Sequence, residues 1–435
     1  MRKKAIQSLN LKLPKDAFMV KNMKHNKAFK LSKNTSTTEL LRMQEKFKKY
    51  RKNWAEQPKT IIEKKIDQKN FKKKKIIPLC VDLEVAAVCD LACPHCFRQY
   101  ISTPDKIMRK ELVIKLIDQA SEIGVPSIKF NWRGEPLLHP QLPEFIAYAK
   151  QKGILETIIN TNATKLNETY SKKLIDSGLD LLIFSFDGGS KKTYEKLRPG
   201  RFKENSFENI YKNIIDFCKL KKKLKSVYPR TKIQMVLTKE TMEEKQSFYK
   251  LFDNYVDDIS VKQYTERGGQ IKNLKYSNEK IQKILTDNNL KKDSEILTYS
   301  DAEIYASTGR LPCEQPFQRL LITYDGRVSA CCYDWGSMHT LGYVDNLAFK
   351  IKNKHYQEVM DSSKQKKIGF DLMNLKMPEC YNKPQEKIST LTEIWYGKEL
   401  EEFRKNHLSN SLEKIEICKN CTFKETYKWK KIKIS

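Results

Sequence analysis

Cys80-Val81-Asp82-Leu83-Glu84-Val85-Ala86 is an apolar, strand-like run, and it passes almost directly into the loop Cys89-Asp90-Leu91-Ala92-Cys93-Pro94-His95-Cys96. Three thiolates on one short loop can hold three irons of a 4Fe–4S cluster and leave the fourth iron open to a substrate or cofactor. Zinc is the rival and needs a fourth ligand. His95 stands between two of the cysteines, where strain opposes joint ligation.

Outward from this loop the pattern alternates. Strand-like runs lie at 80–86, 127–131, 156–160, 181–186, 232–237 and 258–261, with helix-like stretches at 109–123, 140–152, 171–177 and 206–221 between them. Strands alternating with helices imply parallel βα units. Six units fall short of a closed eight-fold barrel, so the expected fold is α/β, a partial (β/α)6 TIM-like barrel, with its chemistry beyond the C-terminal strand ends. The expected organisation is a basic helical N-terminal extension over 1–75, the barrel over 76–295 and an α+β domain over 296–435 with an insertion at about 347–390. Within the extension, residues 37–56 read as a helix with one apolar edge, stopped by Pro58, and the first 30 or so residues are expected to be flexible. Leu320–Tyr324 and Val328–Cys331 flank the turn signal Asp325-Gly326, and 391–408 reads as one helix.

The chain of 435 residues carries a formal net charge of +30, and residues 1–75 alone hold 24 Lys and Arg against 6 Asp and Glu. This basic surface suits phosphorylated substrates, anionic membrane or nucleic acid, or is simply a solvated lysine coat. No run approaches the roughly 20 apolar residues that span a membrane. Met1-Arg2-Lys3-Lys4 opens no apolar signal segment, so a cytoplasmic setting is expected. Eleven cysteines, unevenly clustered, then suggest soft-metal ligation rather than a disulfide framework.

Further motifs sit at the expected strand ends. Arg133-Gly134-Glu135-Pro136 follows the second strand, Thr161-Asn162-Ala163 the third, and Ser185-Phe186-Asp187-Gly188 the fourth, with Arg198 downstream. Together with the Cys-x3-Cys-x2-Cys loop these resemble the radical S-adenosylmethionine superfamily over about residues 78–270. The resemblance implies that Cys89, Cys93 and Cys96 hold a 4Fe–4S cluster. It also implies that His95, Gly134, Glu135, Asn162, Ser185, Asp187 and Arg198 bind S-adenosylmethionine. In that family the position of His95 is usually aromatic and packs on the adenine, Gly-Glu-Pro receives the methionine amino group, and the serine and arginine meet the ribose and carboxylate. The family usually has Gly-Gly-Glu-Pro; Arg133 departs from it and is expected either to meet a substrate anion or to lie on the surface.

Cys313, Cys331, Cys418 and Cys421 resemble the SPASM/twitch extension of the superfamily, which implies one auxiliary 4Fe–4S cluster on these four ligands, with zinc as rival. Trp395 and Arg404-x-x-His407 share that resemblance. Cys332 neighbours Cys331 and is either the ligand in its place, a buried thiol, or a catalytic residue facing the substrate. Cys80, Cys218 and Cys380 receive no role.

The implied reaction is reductive cleavage of S-adenosylmethionine to a 5′-deoxyadenosyl radical that abstracts a substrate hydrogen. The expected substrate is a sugar or amino sugar, possibly nucleotide-linked, undergoing oxidation or epimerization. The expected electron donor is of the flavodoxin or ferredoxin kind, with no nucleic-acid partner. Peptide modification is the enzymatic alternative. A basic iron–sulfur or zinc protein that binds nucleic acid through residues 1–75 is the alternative of another class.

Overall fold

The computed structural model describes residues 15–23, 37–100, 105–264, 296–300, 303–337, 339–348, 387–419, 421 and 423–432, with isolated positions between 283 and 289. Most of the expected insertion at 347–390, with Cys380, lies outside the described residues, as do residues 1–14 and 24–36.

Six parallel strands form in the expected places: β1 (Cys80–Leu83), β2 (Ser127–Lys129), β3 (Glu156–Thr161), β4 (Leu181–Ser185), β5 (Arg230–Leu237) and β6 (Asp258–Gln263). Two antiparallel strands, β7 (Ile296–Ser300) and β8 (Glu303–Arg310), follow in a separate sheet. The main sheet then resumes: β9 (Arg319–Ile322) pairs parallel with β1, and β10 (Arg327–Ser329) and β11 (Thr340–Tyr343) extend it antiparallel. The order is β11-β10-β9-β1-β2-β3-β4-β5-β6, so the C-terminal part continues the barrel sheet. A last strand, β12 (Tyr427–Ile432), pairs with β8. The hairpin turn between β9 and β10 needs Gly326 (φ +90°), whose Cβ would strike the Asp345 side chain at 2.5 Å.

Helices connect the parallel strands β1 to β6, among them Lys110–Ile123, Leu142–Gln151, Glu168–Asp176 and Phe207–Lys223. Each buries one apolar stripe, such as Leu112, Val113, Leu116, Ile117 and Ala120 in the first, against the sheet. One continuous core runs from Ile61 to Cys418 and takes in Phe71, Phe184, Phe217 and Trp395.

The N-terminal extension departs from expectation in two ways. Lys15–Asn22 forms helix α1 and Thr37–Glu63 forms helix α2. Met19, Met23, Phe47 and Tyr50 pack with Leu79, Leu155 and Tyr228, which lie within two residues of the starts of β1, β3 and β5. Tyr50 and Lys15 both bind Glu156 at the start of β3 (2.9 and 2.6 Å). The helices therefore cover the N-terminal strand ends, and the described residues 15–23 are held by this cluster instead of being flexible. Nor does Pro58 end α2. It lies inside the helix, where it frees the Trp54 carbonyl, and the Gln318 side chain donates to that carbonyl at 2.9 Å. The expected single helix over 391–408 is two, Leu391–Trp395 and Lys398–Leu408, with Gly397 as the N-cap of the second. The second is α3 below.

Among the described residues no helix is long and apolar enough to cross a membrane.

Candidate active site

Residues of β1 to β6 and β9 line a single cavity of about 800 Å³, so the sheet curls around it. Asp82, Lys129, Asn160, Ser185, Gln234, Lys262 and Arg319 come from these strands, and the loops at their C-terminal ends add Cys89, Cys93, His95, Cys96, Gly134, Glu135, Asn162 and Arg198.

The cysteine loop is folded by its neighbours. Cys96 N donates to Cys93 O (3.0 Å), Ala92 N to Pro199 O (2.9 Å) and Arg201 N to Asp90 O (2.8 Å). The buried Arg98 bonds Ala87 O and Asp105. Cys93 is buried and Cys89 and Cys96 are half-buried; none is in a disulfide. Burial pushes the Cys89 thiol up to about 12 and raises that of Cys93 as well. Such thiols keep their protons until a metal displaces them.

Gly134 is required by contact: a Cβ there would lie 2.3 Å from Ala86 O and 2.4 Å from Val88 O. This close approach seats Glu135, whose amide donates to Val88 O (2.8 Å). The Glu135 carboxyl is buried and accepts from Thr161 Oγ1 (2.7 Å), Asn162 N (2.7 Å) and Leu137 N (3.1 Å). Burial, with Asp90 nearby, still pushes it up to about 8. Asn162 Nδ2 and Thr164 Oγ1 bind the two oxygens of Asp90 (2.8 and 2.6 Å), joining this network to the residue after Cys89. Asp90 and Thr161 were not singled out from the sequence, although both lie inside motifs that were.

Asp187 is wholly buried behind the cavity wall. Arg198 donates twice to Oδ2 (2.8 and 2.6 Å), His95 Nε2 lies 3.2 Å from the same oxygen, and Val236 N donates to Oδ1 (2.7 Å). Burial works to raise the Asp187 carboxyl, but the Arg198 guanidinium and His95 hold it well below the usual carboxylate range. Arg133 lines the cavity and does not lie on the surface. It is buried in a bidentate pair with Glu84 (2.6 and 2.7 Å) and donates to Trp335 O (2.7 Å). The Glu84 carboxylate thus neutralises the guanidinium at the cavity wall.

The C-terminal cysteines form a second group. Cys313, Cys331, Cys418 and Cys421 line one small pocket, together with His407 and Arg310. Arg310 donates to Cys418 O (3.1 Å) and Cys421 O (3.2 Å), a clamp that no sequence pattern signals. His407 is buried, and burial, with Arg310 and His339 close by, lowers it to about 3. Cys332 lies on the wall of the large cavity instead. Its thiol donates to Gln315 Oε1 (3.4 Å) and its carbonyl accepts from Trp132 Nε1 (2.9 Å). The strand expected to reach Cys331 ends at Ser329; a turn, in which Asp334 N bonds Cys331 O (3.1 Å), sends the two sulfurs to the two pockets. The side chains of Cys331 and Cys332 nevertheless stay within hydrogen-bonding reach, and that contact, with burial, raises the Cys331 thiol.

The donor chemistry suits the groups that the sequence implies, although the side chains of the described residues are not drawn together as a closed ligand set. The donors are thiols free of disulfides. His95 Nδ1 is buried on the cavity wall without a partner. Among the described residues no group of three or more His, Cys, Asp or Glu stands ready to hold a metal ion.

Two family models match this chain: the radical SAM superfamily over residues 83–252 and the SPASM iron–sulfur cluster-binding domain over residues 313–382. A probable GTP 3′,8-cyclase of Methanococcus maripaludis is 34% identical over 133 residues, 30% of this chain and 43% of that protein. The Fe-coproporphyrin III synthase of Methanosarcina barkeri is 37% identical over 114 residues, 25% of this chain and 27% of that protein. The chain thus spans less than half the length of these curated relatives. Among solved structures, Streptococcus suis SuiB is 16% identical with a TM-score of 0.48, over 90% of this chain and 83% of that one. BtrN in complex with AdoMet and 2-DOIA is 15% identical with a TM-score of 0.44, over 80% of this chain and 95% of that one.

Proposed function

Because the chain belongs to the radical SAM superfamily and is an enzyme with 4Fe–4S clusters and S-adenosylmethionine as cofactors, we propose that it abstracts a hydrogen atom from a sugar-like small molecule. The bound cluster supplies the electron that cleaves S-adenosylmethionine to a 5′-deoxyadenosyl radical. In this reading Cys89, Cys93 and Cys96 hold that cluster. Glu135 receives the amino end of the methionine moiety, and Ser185 and Asn162 offer polar contacts to the rest. Arg198 and Asp187, locked to each other, orient His95 and so the end of the cysteine loop.

The observation that supports a sugar-like substrate is the polarity of the barrel's inner wall. Asp82, Lys129, Asn160, Ser185, Gln234 and Arg319 all face the cavity, and Asn160 Oδ1, Gln234 Oε1 and Arg319 Nε are buried without a partner. Buried polar atoms are costly unless satisfied, and a polyhydroxylated ligand satisfies them. An apolar substrate would leave them stranded.

The place of Cys332 favours epimerization. After abstraction, the Cys332 thiol donates its hydrogen atom to the planar carbon radical from the opposite face, leaving a sulfur radical on Cys332. One electron, from a donor of the flavodoxin or ferredoxin class, and one proton restore the thiol. Oxidation, in which the substrate radical instead loses one electron and one proton, is the second reading and is favoured by the four-cysteine pocket beside the cavity. The test is turnover in heavy water. Under epimerization the wild type incorporates one deuterium at the inverted carbon, while Cys332→Ala still forms 5′-deoxyadenosine without inverted product. If Cys332→Ala instead loses four irons, Cys332 is a ligand and the donor role fails.

A further inference from the structure

His407 is placed between two of the four cysteines of the smaller pocket, on helix α3. Its ring is 1% exposed. The Cys313 amide donates to Nδ1 at 3.2 Å, and Nε2 lies 3.7 Å from Cys418 Sγ. A ring nitrogen that accepts an N–H carries no proton in the neutral imidazole, so the proton belongs to Nε2, the nitrogen that faces the sulfur.

The geometry points to His407 as the residue that sets the reduction potential of the auxiliary centre, through an Nε2–H···S bond to Cys418. This inference rests on the reading of Cys313, Cys331, Cys418 and Cys421 as one cluster site. A hydrogen bond to a cluster thiolate stabilises the extra negative charge of the reduced form and makes reduction easier. The ring cannot swing away. Three residues earlier on the same helix, Arg404 donates to Pro316 O (3.0 Å), Trp395 O (2.8 Å) and Gln68 Oε1 (3.1 Å), which locks the helix against the segment that carries Cys313. On the other side Arg310 holds the Cys418 carbonyl. His407 therefore bridges two chain segments that lie about a hundred residues apart, 313 and 418, and acts on the centre through a ligand; it is a positioning residue.

The test uses the full chain with Cys89, Cys93 and Cys96 replaced by Ala, so that only the auxiliary centre remains, and reads iron content and midpoint potential by an EPR-monitored redox titration. His407→Phe fills the space without a donor. It should keep about four irons, with reduction about tenfold less favourable, a shift of about 59 mV to more negative potential for one electron. His407→Gln, whose amide nitrogen reaches the position of Nε2, should recover most of that shift. His407→Asn, which reaches only the position of Nδ1, should not. Equal potentials in the wild type and His407→Phe at full iron content overturn the inference. Should His407→Phe lose iron, the comparison of Gln with Asn decides, and equal potentials there overturn it. If the parent with His407 intact binds no iron, the auxiliary-site reading itself fails, an outcome distinct from iron bound at an unchanged potential.

Discussion

Asp187 has no exposed surface and three partners, so its charge is held in place by the surrounding structure and not by water. Arg198→Met would leave that carboxylate buried without its guanidinium partner, at a cost of about 3–5 kcal/mol. The double variant Asp187→Asn/Arg198→Met should recover part of the loss. Urea denaturation measures both, and a cost below about 1 kcal/mol for Arg198→Met would show that the pair does not hold the site. The sign of its pH dependence follows from its depressed folded value. The stability it adds is present above the ordinary value of 3.8 and is lost as pH falls below it, and Asp187→Asn should flatten that acid limb.

Glu135 is the opposite case. Burial, with Asp90 adding to it, lifts the free carboxyl to about 8, so the protein without cofactor binds a proton there at neutral pH. An incoming ammonium selects the carboxylate. Affinity for S-adenosylmethionine should therefore fall as pH drops below about 8, and binding at pH 7 should release a proton. Calorimetry in two buffers of different ionisation enthalpy detects it, and identical heats in both would contradict the assignment. Glu135→Gln should bind roughly ten- to a hundred-fold more weakly with its iron content unchanged, since a charge-assisted contact contributes about 1.5–3 kcal/mol.

At the scale of elements, helix α2 runs through Pro58 because Gln318 supplies the hydrogen bond that proline withholds from Trp54. Gln318→Leu leaves that carbonyl without its donor and should cost about 1–3 kcal/mol. Pro58→Ala restores an N–H that can reach the Trp54 carbonyl, so the same Gln318→Leu change should cost less in the Pro58→Ala background. A thermal-denaturation double-mutant cycle with no coupling would mean that Gln318 acts elsewhere. Reading the sequence could not foresee this. Proline ends a helix by default, and the exception depends on a side chain more than 250 residues away. The strands were legible for the converse reason: runs such as Leu181–Phe186 carry their β signal locally, and burial on both faces of a parallel sheet keeps them apolar.

The molecule as a whole joins the two cysteine groups through one sheet. β9 lies against β1, and β10 and β11 continue from it, so Cys331 and Cys332 arrive at the mouth of the barrel by strand pairing. Anaerobically prepared protein should hold about eight irons, and the variant with Cys89, Cys93 and Cys96 changed to Ala about four, with cleavage of S-adenosylmethionine abolished. Tightly bound zinc without iron would overturn the assignment of both sites.

The sequence alone determined the parallel strands, the three-cysteine loop after β1 and the motifs at the strand ends, because each is written in consecutive residues whose spacing and periodicity carry the signal. Only the tertiary structure decided who partners whom. It closed Arg198 on Asp187 and Arg133 on Glu84, gathered Cys313 with Cys418 around His407, and turned Cys332 toward the cavity while Cys331 faced the other pocket. Charge pairing and burial depend on distances between residues remote in the chain, and those distances exist only once the sheet has curled.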